Sequence, residues 1–209
     1  MSLARNAHSR RPPDDERRAH ILASAERAFV AYGFHAATMT QVAEEAGMSA
    51  GNLYRYFPSK EAIVEGLCLA DQVGRSESFA ALANATDLKA AMRVALIEHV
   101  LGCPAEKARM IVEIWAESSR NARVAAFTRQ LDHDVIEGLV ELIDLAKARG
   151  AASAKLDPRF GARVLTTLVA GLFKRKAIEP AFDIEAESAM TLGVFQALFA
   201  GALSPSTEI

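Results

Sequence analysis

The eight residues at positions 49–56 carry side chains that suit contact with duplex DNA. Four small or short residues come first, so this end of the segment can approach another surface closely: Ser49, Ala50, Gly51 and Asn52. Tyr54, Arg55 and Tyr56 follow together. Asn and Arg side chains donate hydrogen bonds to base edges or phosphates, and tyrosine hydroxyls suit phosphate oxygens. As a helix, the segment would fit a major groove about 12 Å wide.

A short helix and a tight turn are predicted to precede this segment. Thr38 is a candidate N-cap with Gln41 three residues later, a capping-box pattern, and Thr40 lies between them. The side chains predicted to point inward from this helix are Met39, Val42, Ala43 and Ala46. Gly47 is predicted to end it, because glycine adopts the positive φ that a sharp turn requires.

The DNA-reading segment itself is predicted to be the second helix of this pair. Ser49 caps it, Leu53 and Phe57 point inward, and Pro58 ends it. Lys60 then lies in the first turn of the next helix, where backbone amides and a positive charge together bind phosphate. An ordinary three-helix subdomain with a solvated face is the alternative. Tyrosines beside an arginine on so short a helix favour DNA contact.

The stretch from residue 33 to 61 reads GFHAATMTQVAEEAGMSAGNLYRYFPSKE. Its order of residues resembles the signature of the TetR (tetracycline-repressor-like) family of bacterial regulators: Gly-aromatic, Thr, Ala-Gly, Ser, Gly, Leu-Tyr, Tyr-Phe and Ser-Lys-Glu. The close resemblance spans about residues 15–66, and the remainder agrees in the number and length of its helices. The family is one of DNA-binding transcription regulators, more often repressors than activators.

The resemblance also implies roles for individual residues. Thr38, Thr40 and Gln41 would open the positioning helix, residues 49–56 would form the recognition helix, and Lys60 would anchor the DNA backbone. Whether Arg55 contacts a base or a phosphate stays open, because that position varies across the family.

The whole chain is predicted to be all-α. Alanine is abundant, and no stretch of Val, Ile and Thr alternates as a strand would. A flexible basic arm at residues 1–13 would precede a helix-turn-helix DNA-binding domain at 14–61. A larger helical domain for ligand binding and dimerisation would occupy 62–209. Its helices are predicted near residues 60–83, 87–101, 105–119, 122–149, 158–177 and 184–202.

The distribution of charge is weakly informative. The net charge is −2, but residues 1–60 carry eight basic and six acidic side chains, against sixteen and twenty in residues 61–209. Arg5, Arg10 and Arg11 lie in the arm without any acidic residue. This arrangement suits a chain whose N-terminal end meets phosphate, although a solvated tail explains it almost as well.

A homodimer on a palindromic operator is predicted, because one recognition helix reads only a few base pairs. Helices 158–177 and 184–202 are apolar around too much of their circumference for burial on one side. Gly161 and Gly171 would permit close approach in a four-helix interface. The predicted interface residues are Phe160, Val164, Leu168, Leu172, Leu192, Phe195, Leu198 and Phe199. The alternative is that both helices are core helices of a monomer.

The family resemblance implies a small-molecule effector site within about residues 62–180, whose occupancy changes the spacing of the two DNA-reading helices. As the mechanism, we expect the helix from residue 60 to tilt as a lever. Candidate lining residues from apolar helix faces are Met92, Leu96, His99, Met110, Ile111, Trp115, Phe127 and Leu131. His99 is the candidate for a polar ligand contact, but a core histidine bonded to a carbonyl is the favoured interpretation. Glu113 and Glu117 could meet a cationic effector, although exposed helix carboxylates are commoner.

Other classes of function find little support in the sequence. Cys68 and Cys103 are too few for a disulfide framework or a zinc site, and no catalytic residue, cofactor or metal site is predicted. No phosphate loop, GxSxG or HExxH motif is present. Without a signal peptide or a membrane-spanning stretch, a bacterial cytoplasmic, nucleoid-associated location is expected. Two alternatives remain: a small-molecule-binding helical protein without a DNA role, and a DNA-binding dimer that senses a protein partner.

Overall fold

A computed structural model describes residues 14–205 of the chain. The predicted basic arm at residues 1–13 lies outside the described residues, as do residues 206–209. The described part forms nine α-helices and no strand, which confirms the predicted all-α class. The helices are α1 (Asp14–Tyr32), α2 (Met39–Glu45), α3 (Ala50–Tyr56), α4 (Lys60–Asn84), α5 (Leu88–Leu96), α6 (Ala105–Ser118), α7 (Ala122–Ala148), α8 (Pro158–Ile178) and α9 (Ile184–Phe199).

Side-chain caps set the start of most of these helices. Thr38 forms the predicted capping box with Gln41, and the Ser49 and Ser59 side chains accept backbone hydrogen bonds at the starts of α3 and α4. The starts of four later helices are capped in the same way by Asp87, Asn121, Asp157 and Asp183. Because a cap is a local signal, the predicted helix boundaries agree closely with those observed.

Glycines with positive φ make the turns on both sides of α2. Gly33 has φ +78° after α1, and Gly47 has φ +63° between α2 and α3, where the sequence predicts a sharp turn. Tyr32, the last residue of α1, is exposed, although Phe29 three residues before it is fully buried.

A first hydrophobic core joins α1–α4 to the beginnings of α6 and α7. Its fully buried side chains include Ile21, Phe29, Leu53 and Ile63. Met110 of α6 and Val124 of α7 complete it. The N-terminal helices therefore share their core with the C-terminal helices, although the sequence divides them near residue 61.

A second core lies farther along the C-terminal helices. It is formed by Leu88 and Met92 of α5, buried residues of α7 and α8, and the last residues of α9. On α7, residue 124 belongs to the first core and residues 136–146 to the second, so the residues near 127–135 lie between them. Of the half-buried apolar side chains on α5–α8 that belong to neither core, we call six the inter-core band: Leu96, Trp115, Phe127, Leu131, Val135 and Phe173.

The long helices pack as a bundle in which α4 contacts α7, and both α6 and α7 contact α8. Gly138 on α7 permits the first of these contacts, because a Cβ there would lie 2.6 Å from the Phe79 ring on α4. Among the helices of the described part, none has both the length and the hydropathy needed to cross a bilayer.

Candidate nucleic-acid interface

The helix-turn-helix consists of α2, a turn at residues 46–48 and α3. The amide of Met48 donates a hydrogen bond to the Ala43 carbonyl at 2.9 Å, which closes the turn. The Nε2 atom of His20 on α1 lies 3.2 Å from the carbonyl oxygen of Ala46, within hydrogen-bond distance. The turn is therefore held both by its own backbone and by α1.

α3 has a buried inner face and an exposed outer face. Leu53 is fully buried, and Phe57, directly after the helix, is buried with it in the first core. Gly51, Tyr54 and Arg55 are exposed and share the outer face, because they are spaced at i, i+3 and i+4. Tyr54 keeps 50% of its surface exposed. A glycine without a side chain beside an exposed ring and a guanidinium suits close approach of the helix to the base edges of a major groove.

Other residues predicted on this helix have supporting positions. The Ser49 hydroxyl accepts the Asn52 amide hydrogen bond at 3.3 Å. Ala50 and Tyr56 are half-buried and pack against the first core. Tyr56 is thus less exposed than Tyr54 and Arg55, and its contact with DNA stays a prediction. Successive helical side chains are about 100° apart, so three in a row cannot share one face.

The side chains at the start of α2 are occupied by capping. The Thr38 amide donates to Oε1 of Gln41 at 2.8 Å, and the Gln41 amide donates to Oγ1 of Thr38 at 3.2 Å. Thr40 is exposed and has no part in the capping box. Contact of these three residues with DNA stays a prediction.

Lys60 lies in the first turn of α4, as predicted, but its side chain has partners within the chain. Its ammonium group donates hydrogen bonds to the carbonyl oxygens of Phe34 and His35, both at 2.9 Å, and lies 5.1 Å from the centre of the Phe34 ring. Lys60 therefore holds the loop between α1 and α2 in this structure, and its contact with a DNA phosphate stays a prediction. The sequence gives no signal for this contact, because the partners are 25 and 26 residues apart.

Polar side chains attach α7 to α4 beside the DNA-reading helices. Asn121 Nδ2 donates to Oε1 of Glu61 at 3.3 Å, and Arg123 Nη2 lies 3.2 Å from Oε2 of Glu65. A hydrogen bond with the Ser59 side chain, followed by one with its own backbone amide, lowers the pKa of Glu61. Glu61 is therefore ionised at neutral pH and can hold Asn121.

Three of the residues predicted at a dimer interface are buried inside the chain itself. Leu172 is 2% exposed, Leu198 0% and Phe199 2%, so these predictions are wrong. The helix pattern could not separate faces that pack within the chain from faces that remain open, because both are apolar. Gly161 likewise faces inward, where a Cβ would lie 3.0 Å from Cδ1 of Ile143.

The remaining predicted interface residues are half-buried: Phe160, Val164, Leu168, Leu192 and Phe195. The first three line a groove of about 710 Å³ together with Val194 of α9. Charged side chains that the sequence reasoning missed also line it: Asp157, Arg159 and Arg163. Gly171 of α8 and Gly193 of α9 are exposed, with open space around them.

The predicted effector residues fall into two groups. Met110 and Ile111 pack in or against the first core and Met92 in the second, which corrects their assignment to a pocket lining. The other apolar candidates belong to the inter-core band: Leu96, Trp115, Phe127 and Leu131. Trp115 packs edge-on against Phe173 with ring centres 5.9 Å apart.

His99 is exposed, so the favoured interpretation of it as a core histidine is wrong, and its contact with a ligand stays a prediction. The helix predicted over residues 87–101 changes after Leu96 into a π-helical turn, Ile97–Leu101. A π-turn has more residues per turn than an α-helix, which rotates the side chains that follow away from the expected stripe. The periodicity that placed His99 beside Met92 assumed a continuous α-helix.

Glu113 and Glu117 on α6 both have partners within the chain. Glu113 Oε2 accepts a hydrogen bond from the Phe34 amide at 2.5 Å. Glu117 pairs with Arg120, and this hydrogen bond lowers the pKa of Glu117. The sequence does not predict the contact between Glu113 and Phe34, because the two residues are 79 positions apart.

The fold and this surface define a class of protein. A helix-turn-helix with an exposed Tyr54 and Arg55 on its second helix, joined to a larger helical bundle, is the architecture of a DNA-binding regulator. No group of three or more His, Cys, Asp or Glu side chains that could hold a metal ion occurs within residues 14–205.

Comparison with known proteins agrees with this class. Residues 21–67 match the family described as bacterial regulatory proteins, tetR family. Residues 94–199, about half of the chain, match the C-terminal domain described as that of BetI-type transcriptional repressors. The chain belongs to the TetR family, which confirms the resemblance read from residues 33–61. It is a DNA-binding transcriptional regulator, and at the level of the family its partners are DNA and a second copy of itself.

Individual relatives extend the similarity to nearly the whole length. The HTH-type transcriptional regulator UidR of Escherichia coli strain K12 is 29% identical over 192 residues, 90% of this chain and 94% of its own. The structure of Salmonella enterica GusR matches with a TM-score of 0.73 and 28% identity, over 88% of this chain and 95% of its own. A TetR-family regulator from Rhodococcus sp. has the same fold, with a TM-score of 0.77, 22% identity and coverage of 89% and 100%.

Proposed function

We propose that this protein is a homodimeric repressor that binds a palindromic operator through two α3 helices and is released by a small-molecule effector. The observation that carries the proposal is the outer face of α3, where Tyr54 and Arg55 are exposed over a fully buried Leu53. In this proposal residues 14–61 are the reading head and residues 62–209 the sensing and dimerisation domain. The protein acts as a regulator and not as an enzyme, and it is located in the bacterial cytoplasm.

The second copy would cover the groove between α8 and α9. Half-buried Phe160, Val164 and Leu168 offer an apolar centre, and the charged residues around them offer a polar rim. Pairing of the same face on each subunit gives a two-fold dimer built on four helices. Such a dimer presents two recognition helices, which a palindrome matches when they are roughly 34–36 Å apart.

The effector would occupy the inter-core band. Trp115 of α6 and Phe127 and Leu131 of α7 are large apolar side chains that remain half-buried and belong to neither core. Concave sites lined by aromatic and aliphatic side chains are typical of small-molecule binding. The lining favours a ligand with a substantial apolar part.

Selection of bound sequences from random duplexes tests the proposal. We expect an inverted repeat, bound by the wild type in a gel shift with two protomers per site. Tyr54→Ala should weaken binding about 5- to 150-fold, which corresponds to the roughly 1–3 kcal/mol expected for a contact to a base edge. Tyr32→Ala is the matched control, because that tyrosine is 52% exposed on another helix.

Three results would contradict parts of the proposal. Equal effects of Tyr54→Ala and Tyr32→Ala would contradict the assigned reading face. An asymmetric selected site would contradict dimeric reading. Failure of every compound in a broad metabolite panel to shift operator affinity, together with capture of a protein that does shift it, would replace the effector with a protein partner.

A further inference from the structure

We propose that Glu113 is the positioning residue through which α6 fixes the orientation of the reading head on the sensing domain. The inference rests on the proposed function and adds a route of coupling at a single side chain. Glu113 Oε2 accepts the Phe34 amide hydrogen bond at 2.5 Å. Phe34 lies in the loop between α1 and α2, so this bond joins the sensing domain directly to the backbone of the helix-turn-helix.

The loop that Glu113 holds has little freedom of its own. Lys60 binds the carbonyl oxygens of Phe34 and His35 from the side of α4. The Phe34 ring packs edge-on against Phe29 with centres 5.2 Å apart. The Ala37 amide donates to the Gly33 carbonyl at 3.0 Å, one residue before the cap of α2. A shift of the Glu113 carboxylate would therefore move the start of α2 as well.

Gly33 adapts the loop to this carboxylate. Its φ of +78° is one that side-chain-bearing residues avoid, and a Cβ there would lie 3.2 Å from Oε1 of Glu113. Because Gly33 has no side chain, the backbone can lie close to the Glu113 carboxylate directly before the Phe34 amide that donates to it.

Other polar contacts between the reading head and the sensing domain fix the orientation of the head less firmly than Glu113 does. Lys107 pairs with Glu26 through side chains that remain one-third to one-half exposed, and Asn121 Nδ2 donates to Oε1 of Glu61 at a longer 3.3 Å. Long, solvated ion pairs are weak, and they tolerate sliding because both partners are flexible. Glu113 instead bonds to a partly buried backbone amide, and a charge-assisted bond to a fixed donor holds a defined direction.

The same helix also contacts the inter-core band. Trp115 lies two residues after Glu113, so the two side chains point about 200° apart on α6. Glu113 therefore faces the loop between α1 and α2 while Trp115 faces Phe173 of α8. A ligand that displaces Trp115 would move α6 as a unit and with it the Glu113 carboxylate. Because coupling is reciprocal, binding of an operator should in turn change the surroundings of Trp115.

Tryptophan fluorescence tests this without knowledge of the effector. Trp115 is the only tryptophan in the sequence, so its emission can be followed while a duplex recovered by selection is titrated into the full chain. We expect a change on binding by the wild type. Glu113→Ala should lose about half of that change or more and alter operator affinity about 2- to 30-fold, the range found for residues that couple sites. Glu113→Gln keeps an acceptor oxygen and should recover most of the response.

Glu106→Ala is the matched control. It removes a carboxylate from the same helix, but one that pairs only within α6, with Arg109. It should leave both affinity and fluorescence response unchanged. Amide hydrogen exchange at Phe34 gives a second measurement in free protein: Glu113→Ala should speed it at that residue while exchange in α1 and α3 stays slow.

The outcomes separate this inference from the proposed function. A full Trp115 response in Glu113→Ala, or a wild type that binds the duplex without any response, would overturn the role of Glu113 alone. The role would also be overturned if Glu113→Ala lost protection from amide hydrogen exchange throughout the protein and Glu113→Gln did not restore it. That result would mean that Glu113 only stabilises the fold. A wild type that binds no duplex would contradict DNA binding itself and the inference with it.

Discussion

The reading head and the inter-core band use similar apolar residues but pack them differently. In the reading head, short capped helices close around side chains such as Val42 and Leu53, which have no exposed surface. In the band, Phe127 and Leu131 keep part of their surface exposed, although α4, α6 and α8 pack around the same helix. The contrast indicates a head that moves as a rigid unit and a sensing domain with room to repack.

A charge at the dimer face should have the largest effect and should leave the reading head untouched. Leu168→Glu would bury an unpaired carboxylate twice in a symmetric interface, at roughly 3–5 kcal/mol each. We expect monomers by sedimentation velocity and loss of operator binding, with the helical circular dichroism spectrum retained.

The control for this variant is Val94→Glu, at a position that is already 51% exposed on α5. It should remain dimeric. If both variants stay dimeric and bind the operator, the groove between α8 and α9 is not the interface.

Truncation of matched leucines compares the two regions directly. Leu53→Ala in the first core should lower the free energy of unfolding by about 2–5 kcal/mol, because it removes a fully buried side chain and leaves a cavity. Leu131→Ala in the inter-core band should cost less, about 1 kcal/mol, because that side chain is only half-buried and can be replaced by water. Urea denaturation measures both. Equal losses would mean that the band is packed as tightly as the head.

The same contrast explains how much could be predicted from the sequence. Thr38, Gly47 and Ser49 act through caps and turns within a few residues, so the helix-turn-helix was predicted almost completely. The C-terminal helices were also placed well, because their breaks are marked by caps and prolines. Which of their faces pack together was not predictable, since Leu168 and Leu172 look alike in sequence but only Leu172 is buried.

Contacts between distant segments account for the other differences. The positions of Lys60 and Glu113 depend on the loop at residues 33–37, and nothing near either residue in the sequence encodes that loop as a partner. The π-turn after Leu96 is another case, because periodicity assumes one helix type throughout. Local signals therefore determined the DNA-binding surface, while packing decided the dimer and effector sites.

Two glycine substitutions give the smallest expected effects, and they should change the stability of the protein in opposite directions. Gly33→Ala forces a side chain into a positive φ, at roughly 1–2 kcal/mol, and crowds Glu113 as well. Gly74→Ala lies within α4 where a Cβ meets open space, so it should stabilise the protein by about 0.5–1 kcal/mol. Thermal unfolding measures both shifts.

Because Gly33 adjoins the amide that Glu113 holds, its variant should also reduce the Trp115 response to the operator, whereas Gly74→Ala should leave that response intact. A Gly33→Ala protein with wild-type stability and response would mean that the loop between α1 and α2 tolerates movement, and the description of the reading head as rigid would then be wrong.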